Sequence, residues 1–166
     1  MKTIIICHSE HHGNTKKIGQ AMADVLKAKL IKPHQAKPEV LKNYDLIGFG
    51  SGIYYQRHHK SLFKFVDQLP PMKNKKAFIF STSGLKEIKL LNNFNQPLKK
   101  KFLEKGFQII GVFSCRGFDT VWPLNLIGGM YKGRPNRQDL KEATTFATSL
   151  LHHSSNKDKV CLSANQ

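Results

Sequence analysis

The stretch Thr3-Ile4-Ile5-Ile6-Cys7-His8-Ser9-Glu10-His11-His12-Gly13-Asn14-Thr15 joins an apolar, β-branched run of strand length to a short polar loop. Ile18, Ala21, Val25 and Leu26 then recur at helical spacing. A strand that feeds a helix through a polar, glycine-bearing turn is the opening unit of an α/β sheet. Further apolar runs follow at residues 45–49, 77–81 and 108–113, with a weaker one at 29–32 closed by Pro33. These runs are continuous rather than alternating, as expected of strands buried on both faces. Between them lie helical stripes: Leu62, Phe65, Val66 and Leu69; Phe94, Leu98 and Phe102, closed by Gly106; and Leu140, Ala143, Ala147 and Leu151. Five strands alternating with helices predict a doubly wound, five-stranded parallel sheet with helices on both faces. One domain is expected over residues 1–153, followed by a polar tail at 154–166.

In such a sheet, ligands bind beyond the carboxyl ends of the strands, beside the point where the winding reverses. The loop from Ser9 to Thr15 lies at such an end. Gly13 permits a tight turn, Ser9, Asn14 and Thr15 are short and polar, and the free N–H groups of the following helix point into the loop. Backbone donors, hydroxyls and helix dipole together make a phosphate cradle. Two other nucleotide motifs fail. Gly128 to Gly133 continues with Arg134-Pro135 where a P-loop needs Lys-Ser/Thr, and the glycines of Gly48-Phe49-Gly50-Ser51-Gly52 lack the third glycine and the helix of a dinucleotide fingerprint.

At these residues the chain resembles the flavodoxins, whose phosphate loop has the form Thr/Ser-x-Thr-Gly-x-Thr. Here His12 replaces the usual threonine and the loop is one residue longer. The resemblance continues through Tyr44 to Tyr54, like the third strand and its flavin-contacting loop, and through Ala77 to Gly84, like the fourth strand and its loop. Gly111 to Asp119 is similar to the fifth strand and its loop, and Gly133-Arg134-Pro135-Asn136 opens the last helix. The resemblance implies noncovalently bound FMN, with its phosphate on Ser9, His11, His12, Gly13, Asn14 and Thr15. The ring would lie between the loop of Ser51, Gly52, Ile53, Tyr54 and Tyr55 and that of Ser114, Cys115, Arg116, Gly117, Phe118 and Asp119. The loop of Ser81, Thr82, Ser83 and Gly84 would complete the site. Tyr54 or Tyr55 would stack on the ring, the Gly52 peptide would turn towards its N5, and N–H groups around Cys115 to Gly117 would meet its pyrimidine oxygens. Cys115 reads as a packing residue, because no partner cysteine lies nearby in sequence.

Eight histidines include the pairs His11-His12, His58-His59 and His152-His153. Adjacent residues seldom aim both imidazoles at one ion, so no metal is expected; donors near the phosphate or proton carriers near the flavin edge are the expected roles. Three cysteines without a Cys-x-x-Cys pair fit a reducing cytoplasm rather than a disulfide framework. The apolar start ends at His8, too early for a signal peptide, and the apolar runs are too short to cross a bilayer.

Lys and Arg total 27 against 11 Asp and Glu, a formal charge of +16. That balance favours anionic partners. The resemblance implies an electron carrier between a reductase and an acceptor protein. A second reading is an FMN oxidoreductase acting on a quinone or tetrapyrrole at the inner membrane face, similar to the short protoporphyrinogen oxidases. It draws on the apolar segment Trp122 to Tyr131 and on Arg116, Lys132, Arg134 and Arg137 beside it. The third reading is a nucleic-acid binder using Lys73, Lys75, Lys76 and Lys99 to Lys101, but no recognition motif accompanies those lysines. Positive charge beside a reduced, anionic flavin predicts a less negative potential than in acidic relatives.

Overall fold

The computed structural model describes residues 1–84, 93–119 and 128–162, with side chains as far as His152 and without that of His11. The strands are β1 (Thr3–His8), β2 (Lys29–Ile31), β3 (Leu46–Tyr54), β4 (Arg57–His58), β5 (Lys76–Ser83) and β6 (Gln108–Arg116). The helices are α1 (Asn14–Leu26), α2 (Lys60–Asp67), α3 (Gln96–Glu104) and α4 (Arg137–Leu162). Five strands run parallel in the order β2-β1-β3-β5-β6, and β4 folds back antiparallel on the end of β3. This is the doubly wound sheet expected from the sequence. The winding reverses between β1 and β3, so the loops beyond His8 and Tyr54 part to opposite faces.

β1, β3 and β5 are the continuous apolar runs, and they are buried almost throughout. β6 lies at the sheet edge and alternates, with Val112 exposed. On one face Ile4, Ile6, Ile47, Phe49 and Ile79 pack against Leu62, Phe65 and Val66 of α2 and Leu98 and Phe102 of α3. On the other, Ile5, Cys7, Leu46, Phe78 and Phe80 pack against α1 and α4. Each fully buried large side chain contributes about 1.5–3 kcal/mol.

Three details depart from the sequence reading. The buried face of α1 is Ile18, Gly19, Met22, Ala23 and Leu26, whereas Ala21 and Val25 are half-buried. The helix presents Gly19 to the sheet, where an added Cβ would come within 3.2 Å of Phe80 and Leu30. β3 runs five residues past the expected end at 49, and Tyr55 and Gln56 then turn it into β4 at φ +47° and +61°. Two successive left-handed residues match the type I′ hairpin that the twist of paired strands requires, although Asn-Gly is its usual sequence. The polar segment expected as a tail from 154 continues α4 as far as Leu162.

The sheet face beneath α1 and α4 is shaped by rings lying over glycines. Gly48 is in register with Phe78 and Gly50 with Phe80, and a Cβ on either glycine would overlap the neighbouring ring. We expect Gly50→Ala to destabilise the protein by about 1–3 kcal/mol, because a packed phenyl ring must leave its place. Thermal unfolding should show it as a loss of about 2–4 °C per kcal/mol. An unchanged midpoint would refute the close-packed account of this face.

Candidate functional site

A cleft of about 50 Å³ opens at the carboxyl ends of β1, β3, β5 and β6. Its walls come from Ser9, Glu10, Asn14 and Thr15; from Gly52, Ile53 and Tyr54; from Thr82, Ser83 and Gly84; and from Gly117, Phe118 and Asp119. Four loops distant in sequence thus converge, and twelve of these thirteen residues are ones the sequence singled out. Glu10 is the addition.

The floor is built around the start of α1. Gly13 is left-handed (φ +66°) and Asn14 right-handed (φ −53°), a pairing that turns successive N–H groups into one concavity. Among the described residues no side chain caps the first turn of α1 and no acidic residue stands in it. Gly13 N–H is engaged by Glu10 O at 3.2 Å, so the donors left for an anion begin at Asn14. Two bonds hold this turn in place. Thr15 Oγ1 and Thr82 Oγ1 are 2.7 Å apart and buried, and Asn14 Nδ2 donates to Phe118 O at 2.7 Å. The buried Asn14 Oδ1 has no hydrogen-bond partner among the described residues. Two glycines keep the walls close: a Cβ on Gly117 would come within 2.9 Å of Asn14 Nδ2, and one on Gly84 within 2.8 Å of Asp119 Cβ.

Other expected site residues lie beneath or outside the cleft. Ser51, Ser81 and Ser114 belong to a polar chain under it: Ser51 Oγ meets His58 Nδ1 (2.9 Å), His58 Nε2 meets Asn95 Oδ1 (2.8 Å), Asn95 Nδ2 donates to Ser114 Oγ (3.0 Å), and Ser114 Oγ meets Ser81 Oγ (2.9 Å). His58 and Asn95 are buried, and no sequence motif marks either of them. Tyr55 is 92% exposed at the hairpin tip, whereas Tyr54 lies across Gly52, so Tyr54 is the aromatic of the cleft. His12 is exposed with its ring against Phe118 at 4.5 Å, and the His11 side chain lies outside the described residues. Cys115 points into the core shared with α4, and burial pushes its thiol, like that of Cys7, up to about 12. Arg116 sits over the Tyr131 ring at 4.3 Å.

The N–H groups after β6 are already engaged. Gly117 donates to Ser83 O, Phe118 to Arg134 O and Asp119 to Met130 O. Gly133 to Asn136 does open the last helix: Asn136 Oδ1 caps it, and Arg134 reaches the buried Asp139 at 3.0 Å. The residues 122–127, on which the apolar-loop reading drew, lie outside the described residues.

Among the described residues the lining of the cleft holds two carboxylates, Glu10 and Asp119, and neither lysine nor arginine. Burial raises the Tyr54 phenol above its ordinary range, and the negative fields of Glu10 and Asp119 add to the effect. At the lip, His8 and His59 stack at 3.6 Å with planes 3° apart, and Tyr54 meets His59 edge-on at 5.4 Å. Burial and then the neighbouring His8 hold the His59 pKa below its ordinary value, with Glu10 opposing them.

Residues 5–117 match the family model described as Flavodoxin domain. An uncharacterised protein of Methanocaldococcus jannaschii is 47% identical over 151 residues, spanning 91% of this chain and 99% of that one. A flavodoxin structure from the domain Archaea superposes with a TM-score of 0.68 at 18% identity, covering 92% of this chain and 98% of the other. Oxidised flavodoxin 1 from Bacillus cereus gives 0.68 at 16% identity, covering 92% and 99%. These two structures share the fold.

The Thr15–Thr82 bond makes a clear test of how the cleft is tied. We expect Thr15→Val to cost about 1–3 kcal/mol by leaving the Thr82 hydroxyl buried and unpaired. Thr15→Val with Thr82→Val should recover most of that loss, since neither hydroxyl is then stranded. Denaturant unfolding of the four proteins in the cycle measures it, and additive losses would contradict a direct bond.

Proposed function

This chain belongs to the flavodoxin domain family, and from that premise we propose that it binds FMN noncovalently and carries electrons between a reductase and an acceptor protein. The observation that carries the reading is the start of α1 without a side-chain cap, at Asn14 and Thr15 in the wall of a cleft that three further loops complete. Ser9 and the backbone N–H groups of Asn14 and Thr15 would hold the phosphate, whereas Asn14 Oδ1, without a partner among the described residues, would accept from a ligand hydroxyl. Tyr54 would cover the ring. Bound FMN supplies one- and two-electron redox chemistry.

The residues around it decide how that chemistry is tuned. Gly52 and Gly84 let backbone approach a flat ligand closely. Glu10 and Asp119 set a negative field where a reduced flavin gathers negative charge, which favours a low potential. The lysine-rich exterior, by contrast, steers acidic partner proteins towards the chain.

Two measurements test the reading. Equilibrium titration followed by visible absorption should show shifted flavin bands with FMN. Riboflavin, which lacks the phosphate, should bind at least about 100-fold more weakly, near 2.7 kcal/mol. Equal affinity for the two, or no binding, would discard the phosphate cradle. In redox titration of the loaded protein, Glu10→Gln and Asp119→Asn should each raise the potential by about 20–60 mV, since tenfold corresponds to 59 mV for one electron. A fall in potential would show that the carboxylates do not set the field.

A further inference from the structure

His8 ends β1, Glu10 follows two residues later, and His59 begins α2 after the hairpin of β3 and β4. The fold brings these three side chains to one spot, with one ligand atom of each lying within 4.8 Å of the others. His8 Nε2 is 3.3 Å from Glu10 Oε1, and His59 Nε2 is 3.7 Å from the same oxygen. Bond lengths of about 2.0–2.2 Å place tetrahedral ligands roughly 3.4 Å apart. The observed separations lie within a few tenths of an ångström of that edge.

Partner chemistry points the same way. His8 Nε2 is buried and makes no hydrogen bond among the described residues, although Glu10 Oε1 stands 3.3 Å away. A buried ring nitrogen in that state calls for a missing ligand. His59 Nδ1 accepts from Ser61 N–H at 3.2 Å and lies 2.8 Å from Ser61 Oγ, so binding an ion through Nε2 requires the other tautomer, in which Nδ1–H donates to Ser61 Oγ and the cap bond is given up. His58, its neighbour, is turned away into Ser51 and Asn95, so only one imidazole of that pair belongs here.

We propose that His8, Glu10 and His59 form a three-ligand site for a divalent transition metal ion of the zinc class. Two imidazoles, one carboxylate and no thiolate select zinc, cobalt or nickel over calcium or magnesium. Three protein ligands leave a fourth position open. Glu10 and Tyr54 also line the cleft, so the ion sits on its lip. Parallel rings 3.6 Å apart cannot both hold one ion in their planes, so binding unstacks His8 from His59. The site needs no flavin, and its failure is separable from that of the FMN reading.

The test uses the full chain, flavin-free and without a histidine tag, titrated with cobalt(II) and zinc(II) by calorimetry and visible absorption. One equivalent of cobalt should bind with tetrahedral ligand-field bands that zinc abolishes, and the His8 and His59 ring resonances should move on adding zinc. His8→Gln, Glu10→Gln and His59→Gln should each weaken binding at least tenfold, whereas the exposed controls His34→Ala and His152→Ala should not. His59 also caps α2, so the first two substitutions decide the matter if the third unfolds. Absence of stoichiometric binding, or affinity unchanged in His8→Gln and Glu10→Gln, overturns the proposal. Loss confined to the controls would assign the ion to surface histidines and overturn it equally.

Discussion

The ring of Phe80 lies between Gly50 of β3 and Gly19 of α1, and this approach of helix to sheet governs where the first loop sits. An ordinary side chain at either glycine would push ring or helix outward, and the start of α1 would move with it. Interiors are too densely packed for such a shift to be absorbed locally. At its first turn the same helix is tied to β5 through Thr15 and Thr82 and to the loop after β6 through Asn14 and Phe118 O. The turn that offers N–H groups to an anion is therefore held from below by packing and from the sides by hydrogen bonds.

A second tie crosses the sheet beneath the cleft. Ser51, His58, Asn95, Ser114 and Ser81 link the carboxyl ends of β3, β5 and β6 to the hairpin and to the start of α3. Asn95 Oδ1 accepts, which makes His58 Nε2 the donor and leaves Nδ1 to accept from Ser51. Because its members are largely buried, losing one strands the others without water. Loops that must hold a ligand are here mounted on a platform with little freedom of its own, as a preorganised site requires.

The sheet was legible because Ile4-Ile5-Ile6 and Ala77 to Phe80 are too short for helices and too apolar for loops, which leaves only central strands. The loop from Ser9 to Thr15 was legible because strand ends in a doubly wound sheet are where ligands bind, whereas the other cleft residues came from the resemblance to flavodoxins. The hairpin was hidden for a local reason. Tyr55 and Gln56 adopt left-handed backbone without the glycine or asparagine that would announce it, and pairing of Ile53 and Tyr54 with β4 overrides their preference. His58 and Asn95 were hidden because a buried polar pair leaves no periodicity; only their separation in space defines it. The stripe of Ile18, Ala21, Val25 and Leu26 passed over Gly19, although the close approach that Gly19 permits seats α1 on the sheet.

Charge shows why a sum over the chain misleads about a site. The value of +16 counts lysines spread over the whole surface, and beyond roughly 8 Å each is largely screened at physiological salt. Glu10 and Asp119 stand in the cleft wall itself, where less water intervenes and each charge acts at close range. Among the described residues, two carboxylates in the cleft wall therefore lie closer to a ligand there than the scattered ammonium groups do, while the summed surface charge acts on a protein that comes within the screening distance. Net charge thus describes the surface a partner meets and not the lining a ligand meets.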